Sequence, residues 1–255
     1  MLNQNPKRFS IDGYCLFKGV FNDEEVKSNQ ILLNEASVAG LGCGEFSRIG
    51  KLDRPNYLGE PHVRDDRWLQ ICRHQRLLDA VESVLGPNLI LVFSSVFIKP
   101  PKSVDTVPWH QDNNYWPSVH GTKVVTVWLA IDDANKKNSA MRVIPGSHVG
   151  FEEQVTVPSL GNDMLNKKIV VSPDIEACAV TLEMAAGSLS IHDSFLHHSS
   201  DKNRTGRRRA GYTIRYCSTD TSWVDLDEHP IPVYLVRGKA GKHGERYIDL
   251  RPKNE

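Results

Sequence analysis

The chain is expected to be mainly β, an antiparallel sandwich or jelly roll with early helices covering one outer face. From residue 89 onward six short β-rich runs, at 89–98, 123–131, 141–144, 179–184, 188–191 and 210–217, alternate with Pro, Gly, Asn and Asp. No helical pattern separates them, which argues against a parallel α/β sheet. Helical periodicity is confined to the first third. There, Asn22 or Asp23 can cap a helix carrying Val26 and Ile31-Leu32-Leu33 that ends near Gly40. Residues 43–67, rich in Gly, Pro and charge, read as loop with a short strand. A second helical stretch over 66–85 repeats Trp68, Ile71, Cys72, Leu78, Val81, Val84 and Leu85 at three- and four-residue steps, and Gly86-Pro87 stops it. The mixed, charged tail after residue 218 suits an edge strand or a flap.

Composition narrows the function classes. The 255 residues suit one domain. Lys and Arg number 31 and so do Asp and Glu, so the electrostatic footprint of a general nucleic-acid binder is absent. The longest apolar-type run, Val124 to Ile131, is eight residues, short of the roughly 20 that span a bilayer. The first twenty residues lack an apolar core segment, so no signal peptide is expected. Cys15, Cys43, Cys72, Cys178 and Cys217 form no C-x-x-C pair and read as reduced, buried thiols of a cytoplasmic protein. A small-molecule partner is expected, with neither nucleic acid nor membrane.

Chemistry concentrates in two places. In Trp109-His110-Gln111-Asp112, residues two apart on a strand share a face, so His110 and Asp112 can present a nitrogen and an oxygen to one point. A lone H-x-D is common by chance. The later segment from His192 to Ser200, with His198, and Arg209 beyond it give the pattern weight. Two histidines and a carboxylate on neighbouring jelly-roll strands make the facial triad of non-haem Fe(II) oxygenases, which leaves positions open for a bidentate cosubstrate and O2. An arginine at a strand end suits the far carboxylate of such a cosubstrate, because its planar fork pairs with two oxygens.

These motifs resemble the phytanoyl-CoA dioxygenase family. Besides Trp109 to Asp112 and the His198-to-Arg209 block, the likeness runs through residues 12–14, 77–87, 124–133 and 141–148, in order, and covers roughly 9 to 240. It implies a double-stranded β-helix binding Fe(II) and 2-oxoglutarate, with O2 as second cosubstrate. Carried over, His110, Asp112 and His198 hold iron and Arg209 holds the distal carboxylate of 2-oxoglutarate. Gln111, Trp128 and Ser200 fall where relatives contact that cosubstrate, and Ser95 is a weaker match. The implied reaction is hydroxylation of a small metabolite with release of succinate and CO2. Desaturation, epoxidation or ring closure by a related desaturase or cyclase uses the same chemistry, and the sequence does not separate them. The chain ends Arg251-Pro252-Lys253-Asn254-Glu255, without a peroxisomal address.

The doubled His197-His198 leaves two registers, His197 with Arg208 and His198 with Arg209. Arg209 shares strand parity with Gly211, Thr213 and Arg215, a polar side with a gap at Gly211 for a dicarboxylate. Arg208 shares parity with Ala210, Tyr212, Ile214 and Tyr216, which suits packing against an outer layer. The second register is therefore expected. His192 has even parity with His198, which leaves it between a cavity role and a structural one. His62, His74, His120, His148, His229 and His243 read as surface or hydrogen-bonding histidines. At least one of Trp109, Tyr115 and Trp116 is expected on the cavity wall. A halogenase would need a small residue at Asp112, so the carboxylate argues against one. A silent jelly-roll binding protein would not need all four residues, and a hydrolytic zinc enzyme gives Arg209 no task.

Overall fold

The computed structural model describes residues 3–38 and 56–252. From Leu89 on, the chain crosses back and forth between two sheets, which makes the fold a double-stranded β-helix, or jelly roll. The larger sheet has eight strands. Seven run in the order Tyr14–Phe17, Leu189–Asp193, Val124–Ala130, Arg209–Ser218, Leu89–Lys99, Tyr234–Arg237 and Ile248–Asp249, and Tyr57–Gly59 also pairs with Leu89–Lys99. The smaller sheet is ordered Val180–Thr181, Arg142–Val143, His198–Ser200, Val107–His110.

Alternation along the central strands separates two chemistries. On one face Val125, Val127, Leu129, Ala210, Tyr212, Ile214, Tyr216, Leu189 and Ile191 join a buried apolar cluster with Leu32, Leu33, Trp68, Leu77, Leu78 and Val81 from the helices. Tyr212 and Tyr216 also fasten a helix there. The Tyr216 hydroxyl donates to the Cys72 carbonyl at 2.6 Å, and the Tyr212 hydroxyl lies 3.1 Å from Cys72 Sγ. The Trp68 ring meets Tyr212 edge-on at 4.9 Å. The opposite face of the same strands looks toward the smaller sheet, and the space between holds the polar residues described below.

The helix caps follow the sequence. Asn22, rather than Asp23, caps the helix Asp23–Val38: its Oδ1 accepts from the Glu25 N–H at 3.0 Å, and Glu25 Oε2 accepts from the Asn22 N–H at 2.7 Å. Its expected end near Gly40 lies outside the described residues. The stretch expected as one helix over 66–85 is two, Asp66–Cys72 and Gln75–Leu85. His74, with ψ of 128°, leaves the helical region because its ring packs on Phe21 at 4.3 Å while Nε2 meets Glu25 Oε1 at 3.1 Å. Tertiary contacts there outweigh a periodicity that continues unbroken in sequence.

All six β-rich runs contain strands, though Arg142–Val143 and Val180–Thr181 are only two residues each. The 43–67 stretch is described from residue 56, and contains Tyr57–Gly59 and a short helix, Pro61–Arg64, that was not expected. The tail supplies Tyr234–Arg237 and Ile248–Asp249 at one edge of the larger sheet. Cys15, Cys72 and Cys217 are buried free thiols as expected, Cys178 is exposed, and Cys43 lies outside the described residues. Among the described residues no helix is long and apolar enough to cross a membrane.

Trp68 is the largest fully buried side chain at the helix–sheet interface. Trp68→Ala is expected to cost about 3–5 kcal/mol, read as a lower urea midpoint with an unchanged slope.

Candidate metal centre

The polar face of the larger sheet and the facing strands of the smaller one enclose a cavity of about 590 Å3, solvent at its mouth included. Its wall includes His110, Asp112, His192, His198, Arg209 and Arg215 beside Phe97, Tyr115, Trp116, Trp128, Met141 and Leu165. Such a mixture, apolar with a few converging polar groups, is typical of a small-molecule site.

His110 ends the strand Val107–His110, and its Cα partner across the smaller sheet is His198 at the start of His198–Ser200. Pairing sets the two rings 3.9 Å apart. Each ring is aimed by the same device. His110 Nδ1 lies 2.8 Å from the Pro108 carbonyl oxygen, and His198 Nδ1 lies 2.9 Å from that of Leu196. A carbonyl only accepts, so both Nδ1 atoms carry a proton, and the two Nε2 atoms are the ones turned toward Asp112. Those two Nε2 atoms each lie 3.6 Å from Asp112 Oδ1. Among the described residues, this is the one group of three whose ligand atoms all fall close together, within 4.8 Å of one another.

Asp112 does not lie on a strand with His110, as parity suggested. The strand stops at His110, and Asp112 opens a 3-10 turn, Asp112–Tyr115. Extended geometry at Gln111 still brings the carboxylate round to the histidines. The other carboxylate oxygen is braced: Oδ2 accepts from the Thr126 hydroxyl and sits 3.5 Å from His192 Nε2. Burial opposes charge on Asp112. The neighbouring imidazoles of His110 and His192, with the charge of Arg215, outweigh that penalty and hold the carboxyl well below its usual range. Burial, reinforced by His110 and His192, pushes His198 well below the ordinary histidine value, so its ring is neutral. An anionic oxygen and imidazole nitrogens already aimed at one point are what a divalent transition metal takes as ligands.

Beyond the triad lies a buried cationic corner. Arg209 is 2% exposed, and its Nη2 donates to Ser139 Oγ at 3.1 Å and Ser200 Oγ at 3.2 Å. Burial lowers its pKa to about 10, which leaves the charge in place at neutral pH. No carboxylate among the described residues lies within 4.0 Å of it, and its Nε has no partner. Directly across the strand pair is Lys99, fully buried, whose Nζ donates to Ser139 Oγ, Ser200 Oγ and O, and the Asp201 carbonyl. Burial and the neighbouring Arg209 push Lys99 well below the usual lysine value. Lys99 is thus satisfied by protein oxygens and fixes both serines, while Arg209 retains unsatisfied donors.

The register choice is visible in these contacts. His198 joins His110 and Asp112, whereas His197 lies outside that group with both ring nitrogens unpartnered. Arg208 faces the helices, pairing with Asp132 at 2.8 Å and donating to Asn34 Oδ1 at 2.6 Å. Trp128 and Ser200 line the cavity, and the Arg209 guanidinium lies 5.6 Å from the Trp128 ring centre. The gap expected at Gly211 is not free: a Cβ there would stand 2.1 Å from Trp128 Cζ2, so glycine makes room for the indole rather than a ligand. Gln111 points elsewhere. Its amide donates to the Glu152 and Phe195 carbonyls and accepts from the Gln154 N–H, so the expected contact with a cosubstrate does not fit its placement. Ser95 Oγ sits between the Tyr57 hydroxyl at 2.9 Å and Arg215 Nη1 at 3.2 Å, away from Arg209's contacts.

Sequence reasoning left Thr126, Lys99 and Ser139 unremarked and gave Arg215 no task. Parity offered a signal for two of them, since Arg215 alternates with Arg209 and Lys99 alternates with Ser95. Of the aromatic residues after the H-x-D, Tyr115 and Trp116 reach the wall. Trp109 instead lies under Arg142 at 5.2 Å.

The family model described as phytanoyl-CoA dioxygenase (PhyH) matches residues 9–211. Peroxisomal phytanoyl-CoA dioxygenase of Mus musculus is 26% identical over 241 residues, covering 88% of this chain and 70% of the mouse protein. A probable alpha-ketoglutarate-dependent hypophosphite dioxygenase of Stutzerimonas stutzeri is 25% identical over 232 residues, covering 86% and 80%. The solved structure of the non-heme monooxygenase ThoJ in its apo form superposes with a TM-score of 0.74 at 26% identity, covering 96% of this chain and 86% of ThoJ. The chain belongs to the phytanoyl-CoA dioxygenase family of Fe(II)- and 2-oxoglutarate-dependent oxygenases.

Proposed function

We propose that the chain hydroxylates a small molecule, with iron held by His110, Asp112 and His198 and the distal carboxylate of 2-oxoglutarate held by Arg209. The observation that carries this reading is the pairing of two features in one cavity. Three converging ligand atoms lie on one side, and a buried arginine without a carboxylate partner lies on the same wall. A dicarboxylate that reaches from one to the other satisfies both. When bound, iron with 2-oxoglutarate and O2 supplies the oxidising power for C–H hydroxylation, with succinate and CO2 as coproducts.

The protein's own contribution is positioning. The Pro108 and Leu196 carbonyls fix the tautomer and the direction of His110 and His198. Thr126 and His192 occupy the far oxygen of Asp112, leaving Oδ1 turned to the histidines. Lys99 holds Ser139 and Ser200, which in turn hold the Arg209 fork. Phe97, Tyr115, Trp116 and Trp128 make a largely apolar wall that excludes water and holds a substrate close to the reacting centre. Asp112 argues against halogenation, because its carboxylate would take the position that a halide needs. Ser95 and Gln111 take no part in holding the cosubstrate.

Anaerobic titration with Fe(II) and 2-oxoglutarate, followed by the absorbance of the ternary complex, checks these assignments. His110→Ala, Asp112→Ala and His198→Ala are each expected to lose iron, and His197→Ala to retain it. Truncating a buried charge pair costs about 2–5 kcal/mol, so Arg209→Met is expected to weaken 2-oxoglutarate roughly a hundredfold. Arg208→Met, on the helix side, leaves that affinity near wild type. Iron lost with His197→Ala and kept with His198→Ala would contradict the register.

Substrate-stimulated formation of succinate with uptake of O2 checks the reaction. Asp112→Gly is expected to abolish hydroxylation without making an efficient halogenase. A chlorinated product from the unaltered protein would contradict the hydroxylase reading.

A further inference from the structure

A second buried arginine faces the same cavity. Arg215 lies six positions beyond Arg209 on one strand and alternates to the same face. Its Cα partner is Thr126, the residue that hydrogen-bonds Asp112, and Thr126 is in turn partnered by His192. The row His192–Thr126–Arg215 therefore sets this guanidinium beside the metal side of the cavity, whereas Arg209 lies at the far strand end opposite Lys99.

Arg215 is only partly satisfied. It is 5% exposed, and Nη1 donates to Ser95 Oγ at 3.2 Å and to the Thr213 carbonyl at 3.4 Å. Its Nε is buried without a partner. The Trp116 ring stands 5.6 Å from the guanidinium carbon. No carboxylate among the described residues comes within 4.0 Å of its nitrogens. The two acids that feel its charge are otherwise engaged. Asp112 turns one oxygen to Thr126 and His192 and the other to the two histidines. Glu60, whose Oε2 accepts from the Ser94 N–H at 3.0 Å, is pushed by burial to a pKa of about 7 and so carries only part of a charge at neutral pH. A guanidinium taken out of water without a counter-ion is unfavourable unless an anion joins it.

Charge bookkeeping says which anion. With iron and 2-oxoglutarate in place, Asp112 and the cosubstrate dianion neutralise the metal and Arg209. Arg215 is left as a single positive charge, which a monoanion matches and a phosphate dianion overshoots. The cavity also carries the apolar side chains Phe97, Tyr115, Trp116, Met141 and Leu165, with Trp116 against the guanidinium itself. We propose that Arg215 receives a carboxylate of the substrate, and that the substrate class is a small organic monoanion with an apolar body. This rests on the reading that Arg209 is taken by 2-oxoglutarate.

The test uses binding rather than turnover. In the anaerobic iron–2-oxoglutarate form, hexanoate, hexanamide and inorganic phosphate are titrated by calorimetry into the wild type, Arg215→Gln and Arg215→Lys. Hexanoate is expected to bind the wild type, to weaken by roughly tenfold or more in Arg215→Gln, and to recover in part in Arg215→Lys. Hexanamide is expected to be weak throughout and to be insensitive to Arg215→Gln. An unchanged ternary-complex absorbance in both variants shows that they fold and still hold 2-oxoglutarate. The proposal is overturned by no hexanoate binding at millimolar concentration, by equal affinity for hexanamide, by tighter binding of phosphate, or by a loss that falls on 2-oxoglutarate instead. Failure of the cosubstrate reading shows separately, as a wild type that gives no iron–2-oxoglutarate absorbance before any hexanoate is added. In that case the same titrations on metal-free protein decide the role of Arg215, with Arg215→Gln expected to lose hexanoate and equal binding to both overturning it.

Discussion

The register of the strand Arg209–Ser218 governs both the core and the site. All ten of its residues are buried, and alternation divides them between two environments that cannot be exchanged. Ala210, Tyr212, Ile214 and Tyr216 meet the helices, while Arg209, Thr213 and Arg215 face the cavity. A slip of one residue would press arginines into the apolar cluster and turn tyrosines toward the metal side. The penalty for burying unpaired guanidinium groups in that cluster makes the register a strongly determined feature. Gly211 enforces the same register from the other side, because only a residue without Cβ admits the Trp128 indole.

The metal centre inherits its geometry from this frame. Thr126 and His192 lie on strands in the same sheet as Arg215, and both lean on the Asp112 carboxylate. Asp112 itself belongs to a turn, which is a less rigid mount than a strand. Rigidity is restored by these contacts and by the Gln111 amide, which ties the adjoining backbone to residues 152, 154 and 195. Gln111 thus acts on the loop that carries Asp112, not on a ligand. The two histidines need less support, since each is already aimed by its own neighbouring carbonyl.

Much of this was legible from residues alone. The alternation of 209 to 217, the H-x-D and the spacing from His198 to Arg209 are local patterns, and each corresponds to a local arrangement in the structure. What sequence did not show is what depends on three-dimensional meeting. Lys99 comes opposite Arg209 only through strand pairing, and Ser139 comes to both through a turn far away in sequence. The break at His74 depends on Phe21 and Glu25, some fifty residues earlier. Gln111 was assigned by likeness, and its side chain points the other way because the extended backbone between His110 and Asp112 alternates. Gly211 was expected to leave room for a dicarboxylate, and the side chain that takes that room, Trp128, lies on the adjacent strand.

The central claim is that one cavity holds iron on His110, Asp112 and His198 and a cosubstrate on Arg209. A crystal structure of the anaerobic protein with Fe(II) and 2-oxoglutarate, with anomalous scattering collected at the iron edge, tests it most directly. One iron peak is expected at both Nε2 atoms and Asp112 Oδ1, with the distal carboxylate of 2-oxoglutarate on Arg209 and Ser200. An iron peak at His197, or a cosubstrate whose distal carboxylate lies on Arg215, would contradict it.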